Sequence, residues 1–103
     1  MSTRLEMLQA MTQKTGDPFA HYALAMEYRK LDRLDEALAT FTDLRAREPD
    51  YLPMYLIAGQ LLVQMDQSQQ ACEWLRAGID VATMKADAKA LSELKAALDS
   101  ASS

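Results

Sequence analysis

A chain of 103 residues with a net charge of −4, half hydrophobic and a quarter charged, with three Gly and three Pro, has the composition of one small globular domain rather than a disordered or fibrous segment. The acidic balance argues against nucleic acid or an anionic membrane as partner, since both need a clustered basic surface. The single cysteine, Cys72, excludes an internal disulfide and a cysteine-based zinc site.

Good helix formers dominate and no stretch alternates as strands do, so the chain reads as all-α, with about six helices. Ser2 caps a leading helix over 3–14, where Leu5, Leu8 and Met11 recur at helical spacing, and Gly16 ends it. Asp17 followed by Pro18 is a strong start signal for a second helix running to about Leu31, with Leu24, Tyr28 and Leu31 on one face. A turn at Asp32–Leu34 leads into a third helix over 35–47. Its acidic residues, Asp35 and Glu36, sit in the first turn and its basic ones, Arg45 and Arg47, in the last, as the helix dipole favours.

Pro49 stops that helix, and Asp50 with Pro53 begins a fourth, to about Met65. Ser68 starts a fifth, which continues to about Met84. Asp87 caps a sixth, to about Ser100, with Leu91, Leu94 and Leu98 as its stripe, and the residues after Ser100 should fray. Connections this short imply consecutive antiparallel pairs. The first fifteen residues lack the continuous apolar core of a secretory signal. The most apolar run, Met54 to Val63, is interrupted by Gln60 and is too short to span a bilayer, so a cytoplasmic location is expected.

Displacing the chain by 34 residues superposes like on like. His21 meets Tyr55, Ala25 meets Gly59, Tyr28 meets Leu62, Asp32 meets Asp66, Ala37 meets Ala71 and Phe41 meets Leu75. Paired helices at this period resemble the tetratricopeptide repeat family. Residues 18–51 supply Leu24, Tyr28, Ala37, Phe41 and Pro49 at the family positions, with Ala25 in the glycine slot and His21 where tryptophan is usual. Residues 52–85 keep Gly59 and Ala71 but replace the closing proline by Thr83. The resemblance implies an α-solenoid forming a single domain: leading helix 3–14, repeats 18–51 and 52–85, and capping helix 86–100.

Small residues at Ala25, Gly59, Ala37 and Ala71 let helices approach closely. Leu44 is unusual, because its slot takes small Gly78 in the second copy. The leading helix has the phase of an orphan second helix, with Met7 aligned to Phe41 and Leu75 and Ala10 aligned to Leu44 and Gly78.

No catalytic constellation, phosphate loop or cofactor site is legible. His21 occupies a packing slot, Cys72 reads as a small core residue, and Asp35 with Glu36 is accounted for by the helix dipole. Most of the seven methionines fall in apolar stripes and read as core filling. Trp74 falls on the outer side of its helix, where packing against a neighbour is preferred to an exposed hot spot.

The resemblance further implies a non-catalytic module that binds a protein or peptide on the first helix of each repeat. On this chain that face carries Phe19, Tyr22, Met26, Arg29 and Lys30, then Leu56, Gln60, Val63 and Gln64. The expected contact set is Tyr22, Met26, Arg29, Leu56, Gln60 and Val63. Tyr22 and Met26 replace the lysine and asparagine that grip chaperone C-termini in part of the family, and the chain has no asparagine, so that subclass is excluded. The alternatives are a homodimer burying the same strip, or side chains packed on one another without a groove.

Overall fold

The computed structural model describes residues 3–103, so Ser2 and its expected cap lie outside the described residues. Six helices and no strand are present among them: α1 (Thr3–Lys14), α2 (Pro18–Lys30), α3 (Leu34–Arg47), α4 (Pro53–Gln64), α5 (Ser68–Met84) and α6 (Ala88–Ser102). They fall into two compact units, one holding α1 to α3 and ending at Pro49, the other spanning Asp50–Ser103.

In the first unit α2 packs against both α1 and α3. It starts where it does because the Asp17 carboxylate accepts the Phe19 N–H at 3.0 Å while Pro18 supplies a preset first turn. Its inner face buries Ala20, Leu24, Ala25 and Tyr28 against Leu5 and Leu8 of α1 and Ala37, Phe41 and Leu44 of α3. Phe41 and Leu44 are wholly buried, and burial of a side chain this size is worth roughly 1.5–3 kcal/mol. Polar ties join α1 to α2: Gln9 Nε2 donates to Tyr28 Oη at 2.9 Å, and Arg4 Nε donates to Glu27 Oε1 at 3.2 Å.

In the second unit α5 packs against α4 and α6, and α4 also touches α6. The two glycines of this unit sit where neighbouring helices leave no room for a Cβ. A Cβ on Gly59 would lie 2.5 Å from Leu75 Cδ2, and one on Gly78 would lie 2.6 Å from Tyr55 Cβ. Trp74 is buried with its ring 6.0 Å from that of Tyr55, so it packs rather than presents a contact. Cys72 is likewise buried.

One turn is used three times. Asp32, Asp66 and Ala86 take left-handed backbone, with φ of 61°, 61° and 55°. The following N–H groups of Arg33, Gln67 and Asp87 close back onto the carbonyls of Tyr28, Leu62 and Ala82 at 2.8, 2.8 and 3.0 Å. This is the Schellman arrangement, which satisfies orphan carbonyls at a helix end. After the first such turn the Arg33 guanidinium lies over the Tyr28 ring at 5.1 Å and pairs with Glu36 in a two-point contact of 2.6 and 2.7 Å.

Several expectations need correction. Leu31 belongs to the C-cap and is exposed rather than part of the α2 stripe. Met7, Ala10 and Met11 of α1 are exposed, so its core face is Leu5 and Leu8 and not the phase shared with Phe41. The fourth helix does not begin at Asp50: α4 starts at Pro53, after Leu52, without a side-chain cap, whereas α5 starts at Ser68 as expected. The capping helix does not end at Ser100. It runs to Ser102, whose hydroxyl and that of Ser103 donate to the carbonyls of Leu98 and Asp99 at 2.8 and 3.0 Å. The methionines other than Met26 are not mainly core: Met54 is buried, whereas Met7, Met11 and Met84 are exposed, and Met26 is exposed on the α2 face where it was expected.

Candidate functional site

The outward face of α2 follows from its pitch. Phe19, Tyr22 and Met26 are three and four residues apart and therefore share a side of the helix, away from the Leu24 and Tyr28 core. Phe19 is 60 % exposed, Met26 is also exposed, and Tyr22 is half-buried. Tyr22 is held between two rings, Phe19 at 6.5 Å and Phe41 of α3 edge-on at 6.3 Å. Burial pushes its phenol above the ordinary 10.0, so the ring stays neutral at any ordinary pH.

These side chains floor an open groove of about 550 Å³, whose other walls are Arg4 of α1 and Glu27 and Lys30 of α2. Glu27 is only 6 % exposed, and the Arg4 pair supplies its counter-charge. Arg29 is half-buried in the last turn of α2 and does not line this groove.

The α4 residues belong to the second unit. Gln60 and Val63 are exposed and line a separate hollow of about 210 Å³ with Leu75 of α5 and Ala97, Ser100 and Ala101 of α6. Leu56 is half-buried and does not line it. Of the six expected residues, then, Tyr22 and Met26 share one groove, Gln60 and Val63 share another, and Arg29 and Leu56 line neither.

Two features escaped the sequence reading. Glu27 falls on the core side of α2, one position before Tyr28, where the second copy has buried Leu61; an acid in that slot was a legible sign of a buried ion pair. Its partner Arg4 was not legible, because no fixed spacing relates α1 to α2 across their loop. The role of α6 beside α4 was also missed, since Ala97 read only as part of a cap and Ala101 as part of a fraying tail.

His21 is buried as expected, at 6 % exposure, and its Nε2 has no hydrogen-bond partner among the described residues. Among the described residues no group of His, Cys, Asp or Glu is arranged to hold a metal ion, and no helix is long and apolar enough to cross a membrane. The groove offers rings, a thioether and cationic donors, which is chemistry for adhesion.

The tetratricopeptide repeat family model matches residues 20–50. The solution structure of a tetratricopeptide repeat domain protein from Salinibacter ruber is 40% identical, with a TM-score of 0.79 over 82% of this chain and 86% of that one. The chain belongs to the tetratricopeptide repeat family. A crystal structure of the Salinibacter ruber domain agrees, again at 40% identity and TM-score 0.79, over 84% of this tetratricopeptide repeat chain and 97% of the other. A Bordetella parapertussis protein, 22% identical, shares the fold with a TM-score of 0.83 over 99% and 90% of the two chains. No curated protein matches. Tetratricopeptide repeats are in general protein-interaction modules, which agrees with a groove equipped for adhesion.

Proposed function

We propose that this protein is a non-catalytic interaction module that receives a segment of another protein on the outward face of α2, at Tyr22, Met26 and Arg29. Leu56, Gln60 and Val63 of α4 are further contact positions. The observation that carries this reading is the exposed phenyl ring of Phe19 beside Tyr22 and Met26. A contiguous apolar patch with a groove next to it loses free energy to water until a partner covers it, and aromatic anchors of this kind dominate binding energetics.

The test is partner capture by affinity chromatography with wild type, Phe19→Ala and Met26→Glu side by side. Both substitutions are at exposed positions, so helicity and melting temperature should stay close to wild type. Capture should fall at least tenfold for each, the loss expected when an interface anchor worth over 1.4 kcal/mol is removed. Undiminished capture by both folded variants removes the α2 face from consideration. Light scattering on the same samples separates a foreign partner from self-association, which would show as a dimer mass in wild type and a monomer mass in Met26→Glu.

A further inference from the structure

The charge distribution of the α2 groove specifies its partner further. The chain as a whole carries −4, yet the groove is lined by two cations, Arg4 and Lys30, and by one acid, Glu27, which is buried and already bound to Arg4 Nε. Arg4 is more than half exposed and spends only Nε on that contact, leaving its two terminal nitrogens without a partner among the described residues. The exposed Lys30 ammonium has no ion pair there either. The unspent cationic hydrogen-bonding capacity at this end of the groove is therefore entirely donor, while Phe19, Tyr22 and Met26 form an apolar floor.

We infer that the groove selects an acidic–apolar peptide segment, with a large apolar side chain seated on Phe19, Tyr22 and Met26 and a carboxylate held between Arg4 and Lys30. This rests on the interaction reading above and adds the ligand class to it. Spacing follows from helix geometry. Phe19 and Lys30 are eleven positions apart on α2, or about 16 Å at 1.5 Å per residue. An extended chain advancing roughly 3.3 Å per residue covers that in about five residues. The selected segment should carry Asp or Glu some four to six positions from its aromatic or long aliphatic residue. Complementary charge also fixes orientation, since a reversed peptide would place its apolar residue against the cationic end.

A random decapeptide library displayed on phage, panned against the intact protein at low salt, tests this. The expected selection is enriched in one large apolar residue and in Asp or Glu at the stated spacing, with synthetic copies weakening as salt rises. Lys30→Glu should weaken these peptides about five- to tenfold and favour copies in which the acids are replaced by Lys, while Phe19→Ala should weaken acidic and substituted copies alike. If the selected peptides lose binding in Phe19→Ala but show no acidic preference and no response to Lys30→Glu, the charge inference fails and the α2 face stands. If no peptide is selected, or if those selected bind both variants as well as wild type, both fail. Circular dichroism of each variant confirms the fold, which the exposure of both positions protects.

Discussion

Gly78 shows how much of this fold rests on single side chains. A Cβ at that position would meet Tyr55 Cβ at 2.6 Å and Leu94 Cδ2 at 2.9 Å, and the first of these is fixed by the backbone of α4 and cannot swing aside. Gly78→Ala should therefore destabilise the second unit by about 2–3 kcal/mol, the cost of overpacking a site that must move helices apart, despite alanine's better helix propensity. Gly16→Ala, with nothing within 4 Å, serves as the control and should change the urea midpoint little. His21 is the opposite case. Its buried Nε2 lacks a partner among the described residues, and an orphaned buried polar atom costs about 1–3 kcal/mol. His21→Phe removes that atom while keeping a flat ring of similar breadth, so a gain near 1 kcal/mol is expected in the same measurement. A loss would mean that the larger ring does not fit the slot between its neighbours.

At the scale of elements, the triply used turn explains why helices this short stay paired. Each left-handed residue closes two backbone bonds and redirects the chain without an added loop, which keeps the entropy cost of reversal low. Two of the turns place aspartate there, whose side chain tolerates the conformation, but the α5–α6 turn uses Ala86 at φ 55°. A Cβ at positive φ is disfavoured by about 1 kcal/mol, and glycine removes that penalty at some cost in unfolded-chain entropy. Ala86→Gly should raise stability by about 0.5 kcal/mol, visible as a small upward shift in melting temperature with an unchanged denaturant slope. A drop in stability would show that the position is not strained in solution.

For the whole molecule, the parts legible in the sequence are those where packing allows few substitutes. Ala25 with Gly59, Ala37 with Ala71 and Phe41 with Leu75 occupy slots that geometry restricts by volume, so a 34-residue displacement exposes the repeats and places α2 to α5 within a residue or so at most ends. The candidate groove was half legible. Helical pitch places Tyr22 and Met26 together on α2, but the Arg4–Glu27 tie that shapes its wall joins two helices across a loop, and periodicity says nothing about such pairs. The methionines misled for a related reason: an unbranched thioether fits a stripe at its edge as readily as at its centre. Met7 is the clearest example, since α2 covers Leu5 and Leu8 of α1 but leaves Met7 at 52% exposure.

That misreading yields a whole-molecule test of the groove which needs no mutation. Thioether oxidation by hydrogen peroxide follows solvent access, so Met84, at 82% exposure, should convert first, Met7, Met11 and Met26 next, and wholly buried Met54 last, as read by peptide mass spectrometry. Addition of a bound acidic–apolar peptide should slow Met26 alone severalfold, because Met26 lines the α2 groove and Met84 does not. Equal slowing at Met84 would indicate scavenging by the peptide. An unchanged Met26 rate under saturating peptide would place the ligand on some other surface.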